Sequence, residues 1–159
     1  MKKIMYGLML ILTTTIFANG QKESVYMGID AELMEPLTIR SNGDLDFGNL
    51  LPGIPFDDLR SSFTITGEPN VLIHLESSGE KYPGGKVFNL VNEKGDTMPF
   101  LYYYIPEGQG VSPRNYSPSY AWIPRNGVLD IEIVAGVRPG KKQSSGVYRG
   151  TLVMSVRYE

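Results

Sequence analysis

The sequence predicts an all-β protein in which one domain folds as an antiparallel β-sandwich of seven to nine short strands. Three observations predict this class. Apolar and polar residues alternate with a period of two in several segments, as expected for strands that turn one face to a core. The chain has 18 glycines and 11 prolines, which favours many turns. No segment after residue 20 shows a convincing helical period.

The first twenty residues, MKKIMYGLMLILTTTIFANG, have the order of a secretory signal peptide. Two lysines precede an uncharged apolar stretch, and Ala18 and Gly20 place small residues at the minus-three and minus-one positions. We expect cleavage before Gln21, one domain over residues 21–159, and export to the periplasm and then the cell surface, or secretion. The apolar stretch is too short to favour a membrane anchor, and no later segment approaches a membrane span, so a transmembrane protein is not expected.

The composition limits which partners are expected and which bonds can stabilise the fold. The chain contains no cysteine, so neither a lipid-modified cysteine nor a disulfide can contribute to the exported form. Removing Lys2 and Lys3 from 15 basic residues leaves 13 against 17 acidic residues, a net charge of −4 with the single histidine neutral. Nucleic acid is therefore not an expected partner.

The strands follow from the alternation and from the turn residues between them. Val25, Met27, Ile29, Ala31 and Leu33 alternate with polar or small residues, and Pro36 interrupts the pattern. Turn dipeptides such as Asn42-Gly43 and Asn126-Gly127 separate the later segments. These later strands are predicted at residues 37–40, 45–47, 62–66, 71–76, 87–91, 100–105, 120–123 and 128–135.

The C-terminal segment GVYRGTLVMSVRYE predicts one more strand with one apolar and one polar face. The first face carries Tyr148, Leu152, Met154, Val156 and Tyr158, and the second carries Arg149, Thr151, Ser155, Arg157 and Glu159. Something else in the chain, or another molecule, must cover the apolar face.

No catalytic or metal-binding constellation is recognisable, so we expect no enzyme, no cofactor and no metal. His74 alternates with Leu72 and Glu76 on the polar side of its strand, without a serine or carboxylate motif. Asp130 and Glu132 share a strand face and are interpreted as solvated residues, because a calcium site needs further oxygen ligands. Asp57-Asp58 is interpreted as a turn or loop.

Aromatic residues concentrate near the middle of the chain. Phe100, Tyr102 and Tyr104 lie on one face of a predicted strand, and Tyr116, Tyr120 and Trp122 follow. A lectin could use such rings to stack against sugars. A central strand that is buried on both faces also explains Phe100, Tyr102 and Tyr104, and this is the favoured interpretation.

The segments AELMEPLTIRSNGDLDFGNLLPG and FTITGEPNVLIHLESSG resemble a family of secreted bacterial domains of unknown function. That family is similar to spore-coat-U-like proteins and to subunits of chaperone-usher pili. The shared motifs are a Leu-Thr-Ile strand, an Asp-Leu-Asp-Phe-Gly turn and an Ile-Thr-Gly-Glu-Pro-Asn hairpin. The resemblance covers most of residues 21–159 and implies an immunoglobulin-like, pilin-like sandwich.

The C-terminus is similar to that of pilus subunits, which carry a penultimate aromatic residue, a glycine fourteen residues from the end and alternating apolar residues between. Tyr158 and Gly146 occupy the first two places, with Leu152, Met154 and Val156 between them. The resemblance implies that this strand, together with Tyr148, borders a groove that a periplasmic chaperone covers before a neighbouring subunit does.

Two functions remain open at this point. In the first, Val25, Met27, Ile29, Ala31 and Leu33 insert as a strand into a neighbouring subunit of a structural or adhesive, fimbria-like assembly. Burying the four large side chains of this set would stabilise that contact by about 6 to 12 kcal/mol before ordering costs. In the second, the same residues form the first strand of their own sandwich, which would then be a stand-alone secreted or periplasmic binding domain, with glycans as candidate ligands.

Overall fold

The computed structural model describes Gly28, residues 31–110 and residues 117–159. The chain divides into two compact units, residues 1–33 and residues 34–159. The first unit lies almost wholly outside the described residues, as do the predicted signal peptide and Tyr116. The second unit contains every strand discussed below.

The described residues form nine strands and no helix, so the predicted all-β class is confirmed. The strands are arranged in two antiparallel sheets with a shared core, a β-sandwich arrangement. Their bounds are β1 Thr38–Ser41, β2 Phe56–Thr66, β3 Leu72–Ser77, β4 Glu80–Tyr82, β5 Gly85–Val91, β6 Thr97–Pro106, β7 Tyr120–Trp122, β8 Val128–Val137 and β9 Met154–Tyr158.

The larger sheet has six strands in the order β1-β2-β8-β6-β5-β4. Its centre is formed by β8 and β6, which pair antiparallel with Tyr102 opposite Ala135 and Tyr104 opposite Ile133. In β6 and in the first half of β8 every second residue is buried, as the period of two in the sequence predicts, whereas all of residues 133–137 in β8 are buried. Strand β6 therefore contributes its aromatic residues to the core.

The smaller sheet has three strands in the order β7-β3-β9. Ile73 and Leu75 of β3 are buried, and Met154 of β9 is buried beside them. These side chains and those of the larger sheet form one hydrophobic cluster. The two sheets therefore share a single core.

Three strands cannot cover a six-stranded sheet, so irregular segments complete the second layer. Leu45, Phe47 and Leu50 are partly buried and pack on the core from the segment that precedes β2. On the other side, a Cβ atom added to Gly150 would lie 2.9 Å from the Phe88 ring and 2.7 Å from Leu90. The backbone at Gly150 thus crosses directly over β5.

Several element predictions were wrong in their details. Residues 45–47 form no strand, and β4 was not predicted. The C-terminal strand is shorter than its alternation suggests, because residues 148–153 form only an isolated bridge between Arg149 and Val91. Ala31 and Leu33 lie outside any strand, and Val25, Met27 and Ile29 lie outside the described residues.

Candidate functional site

A groove of about 900 Å³ opens between two irregular segments on the core-facing side of the larger sheet. One wall is formed by residues 41–52 and the other by residues 143–152. The floor is apolar, because it is made of alternate residues on adjacent strands. These floor residues are Phe63, Phe88, Leu90, Met98, Phe100 and Ile133.

The first wall is held to the sheet by aromatic contacts. The ring of Phe47 meets Phe100 edge-on, with 5.9 Å between the centroids, and meets Phe56 edge-on at 5.8 Å. Such edge-to-face pairs add to the stabilisation from burial. Leu51, four residues further on, is 65% exposed. The wall therefore has one anchored aromatic residue and an apolar residue on its rim.

The second wall is anchored by a polar network on the turn after β5. The buried side chain of Asn92 accepts hydrogen bonds from the backbone N–H groups of Lys94 at 2.9 Å and Asp96 at 2.8 Å. The Ser144 hydroxyl donates to Asp96 Oδ2 at 2.5 Å and lies 2.8 Å from the Tyr148 hydroxyl. These bonds fix the start of the wall relative to the larger sheet.

The same network stabilises the charged form of the Asp96 carboxyl group. Hydrogen bonds from Ser144 and then Asn92 stabilise its carboxylate and lower its pKa below the ordinary value. The wall is thus held by an ionised group at neutral pH.

Along and after this second wall, the chain passes from the larger sheet to the smaller sheet. The backbone N–H and carbonyl of Arg149 pair with those of Val91 in the larger sheet, at 3.0 and 2.9 Å. Five residues later, Met154 begins β9, which pairs with β3 in the smaller sheet. Among the described residues no strand pairs with the other edge of β9. An unpaired strand edge is a site where another strand can add.

The hydroxyl of Tyr158, at the C-terminal end of β9, bonds to two backbone groups from other segments. It accepts a hydrogen bond from the Glu68 backbone N–H at 2.7 Å and donates one to the Glu35 carbonyl at 2.8 Å. A Cβ atom added to Gly67 would lie 2.5 Å from this hydroxyl, so glycine is required for the close approach. One side chain therefore connects the start of the domain, the β2–β3 turn and β9.

The structure separates the predicted groove residues into two groups. Gly146, Tyr148 and Leu152 line the groove. Met154, Val156 and Tyr158 lie further along, on the core-facing side of β9. Of the predicted donor residues, Ala31 and Leu33 have exposed side chains and the others lie outside the described residues. Strand donation stays a prediction.

The carboxylates considered for chemistry take part in polar contacts on the sheet surface. Asp130 accepts a hydrogen bond from Thr64 Oγ1 at 2.5 Å, and Glu132 pairs with Arg60 at 2.6 Å. Asp58 also pairs with Arg60, while Asp57 pairs with Arg138. The described residues include no group of three or more metal-ligating side chains. The expectation that the protein is not an enzyme stays a prediction.

Phe100, Tyr102 and Tyr104 are buried, so this row belongs to the core. The opposite face of β6 is only partly buried, so the predicted burial of this strand on both faces is confirmed for one face only. Burial raises the pKa of Tyr104 to about 12, and its hydroxyl donates to the Pro118 carbonyl at 2.9 Å. Tyr120 and Trp122 behave differently, since their side chains are 50% and 56% exposed. Of the described rings in this predicted aromatic group, only Tyr120 and Trp122 could offer a face to a ligand.

The sequence did not predict the contacts that hold the two walls of the groove to the larger sheet. Asn92 and Asp96 lie in a stretch, Asn-Glu-Lys-Gly-Asp, that predicts a turn but gives no sign of a contact with Ser144. The role of residues 41–52 as a wall was missed because alternation at Leu45 and Phe47 favoured a strand.

Known proteins add no assignment, since no protein-family model and no curated protein matches this sequence. The part of the chain that the structure describes contains no apolar helix of membrane-spanning length.

Proposed function

We propose that this protein is an exported structural or adhesive subunit of fimbrial type, which accepts a β-strand from a neighbouring subunit in the groove between residues 41–52 and 143–152. A periplasmic chaperone would occupy the same groove before assembly. The observation that carries the proposal is the groove of about 900 Å³ with an apolar floor, whose second wall continues into β9, a strand paired on one edge only among the described residues.

The groove suits an extended peptide with alternating apolar residues. Floor residues Phe88, Phe100 and Ile133 come from three different strands, so their side chains lie across the path of an inserted strand. Every second side chain of that strand would face the floor, and its backbone would pair with a neighbouring edge. The spacing of Val25, Met27, Ile29 and Leu33 fits this requirement.

The test introduces one charge on either face of the donor segment. We expect Ile29→Asp to abolish heat-resistant oligomers, because a buried unpaired carboxylate is disfavoured by several kcal/mol. Tyr26→Asp adds the same charge to the opposite face and is expected to leave the oligomers in place. Size-exclusion chromatography and unheated gel electrophoresis of the exported proteins measure the result.

A deletion of residues 21–33 provides a second readout. The truncated protein should bind a peptide with the sequence of residues 21–33, and the peptide should raise its melting temperature because it binds only the folded state. A full-length protein that stays a cooperative monomer at high concentration, and that unfolds when Ile29→Asp is introduced, would contradict strand exchange. That outcome would identify the stand-alone binding domain instead.

A further inference from the structure

A second cavity, of about 490 Å³, lies at the end of β3 that is remote from Tyr158. Its lining is rich in hydroxyl and cationic groups, in contrast to the apolar groove. Ser77 and Ser155 contribute from β3 and β9, Ser119 precedes β7, and Lys81 and Lys86 contribute from the β4–β5 hairpin. The cavity is therefore suited to a polar ligand.

Lys81 and Lys86 are directly opposite each other in the β4–β5 pairing. Lys86 belongs to the row of β5 that continues with Phe88 and Leu90 toward the core, and its ammonium donates to the Ser77 carbonyl at 2.7 Å. Burial, and then repulsion from Lys81, lowers the pKa of Lys86. Like charges opposite each other on a sheet are destabilising, so this pair needs an explanation.

The described residues provide little compensation for the two ammonium groups. Neither lysine is within ion-pair distance of a described carboxylate, and Glu76 is the only carboxylate that lines the cavity. His74 also lines it. A protein with a formal net charge of −2 thus keeps a local excess of positive charge here.

An exposed aromatic surface begins at His74 in the lining of this cavity and continues along β3 away from it. The ring of His74 meets Tyr120 edge-on at 5.1 Å, and the register of β3 with β7 places Trp122 next along the same face. The Gln109 side chain holds the Trp122 backbone through two hydrogen bonds, of 2.7 and 3.2 Å. The two rings are therefore exposed on a fixed strand.

We propose that the cavity and the exposed rings along β7 bind an acidic saccharide, with its anionic group between Lys81 and Lys86, a neighbouring sugar ring against Tyr120 and a further sugar ring against Trp122. The two lysines outnumber Glu76, the one carboxylate in the lining of the cavity, and so favour an anion, whose remaining acceptors the surrounding hydroxyl groups can satisfy. Flat apolar ring faces beside a polar cavity match a sugar, which has both apolar C–H faces and hydroxyl edges. This site does not depend on strand exchange, because it shares no residue with the groove.

The experiment is titration calorimetry of the full-length protein with three probes. Sialyllactose carries a carboxylate, a heparin tetrasaccharide carries sulfates as well, and lactose is neutral. We expect one acidic probe to bind at least about tenfold more tightly than lactose, since a hydrogen bond to a charged group contributes about one factor of ten or more. The two acidic probes distinguish a carboxylate ligand from a sulfated one.

Three variants and a control locate the site. Lys81→Gln and Lys86→Gln should each weaken the acidic probe about tenfold, and Trp122→Ala should weaken it by a similar factor. Lys142→Gln removes an exposed lysine outside the cavity and should leave the affinity unchanged. Thermal melts control for folding, and Lys81→Gln should melt at or above the wild-type temperature because it relieves the repulsion.

Several results would overturn the proposal. Failure of both acidic probes to bind at millimolar concentration, or equal affinity for lactose, would exclude an acidic ligand. An equal loss in Lys142→Gln would show unspecific attraction to positive charge. An unchanged affinity in Trp122→Ala would exclude the saccharide, since the rings would then contribute nothing.

Discussion

The hydroxyl of Tyr158 joins segments that are far apart in sequence. Its hydrogen bonds to the Glu68 N–H and the Glu35 carbonyl span 90 and 123 residues. The sequence identified Tyr158 as a core-facing strand residue, because alternation reports which face a side chain occupies. Alternation carries no information on which backbone groups a hydroxyl meets, so the two partners could be found only in the structure.

We expect Tyr158→Phe to lower the free energy of unfolding by about 1–3 kcal/mol, because the substitution leaves two backbone groups without their partner. Urea unfolding followed by circular dichroism measures the change. Tyr82→Phe is the control, because Tyr82 is 52% exposed and its hydroxyl bonds to no described residue. Equal stability of Tyr158→Phe and wild type would show that water replaces both bonds.

Asp96 makes the stability depend on pH in acid. Its folded-state pKa is lowered by Ser144 and Asn92, so its contribution is present above the unfolded pKa of about 4 and is lost as pH falls through the folded value. Asp96→Asn should therefore melt below wild type at pH 6, and the difference should shrink below pH 4. Melting temperatures of both proteins from pH 6 to pH 2.5 test this. A constant difference would exclude ionisation as its cause.

At the scale of elements, strands were predicted well where the pairing partner stays the same along the strand. Strands β6 and β8 are central; the period of two runs the whole length of β6 and holds in β8 as far as Ile133. The C-terminal segment keeps one alternation while it moves from β5 to β3, so its sequence cannot reveal where one pairing ends. Strand β4, Glu-Lys-Tyr, is exposed and has no apolar period to detect.

In the wall formed by residues 41–52, a strand was predicted where the structure has none. Leu45 and Phe47 have strand spacing, but they pack on the sheet from irregular structure. We expect Phe47→Ala to destabilise the protein by about 2–4 kcal/mol, because it removes two aromatic contacts and leaves a cavity over Phe100. Urea unfolding gives the value.

Leu51→Ala is the matched control in the same wall. Its side chain is 65% exposed, so the substitution should change the free energy of unfolding by less than about 0.5 kcal/mol. If both substitutions had the same effect, Phe47 would not anchor the wall.

At the scale of the whole molecule, the class and most of the strands were predictable, whereas the groove was not. A groove exists because three strands face six, and the numbers of strands per sheet follow from long-range pairing. The second cavity has the same origin, since Lys81 and Lys86 meet Ser77 only through the packing of the β4–β5 hairpin against β3.

The order of strands in the larger sheet also has a kinetic consequence. Strand β2 pairs with β8, so that Phe63 lies opposite Ile131, and this contact closes a loop containing β3 to β7. Closing long loops loses chain entropy before any contact is gained, and proteins with many such pairings fold slowly. During that delay the apolar row of Ile131 and Ile133 is uncovered. A newly made chain therefore has a period in which it can either aggregate or be captured by a helper protein.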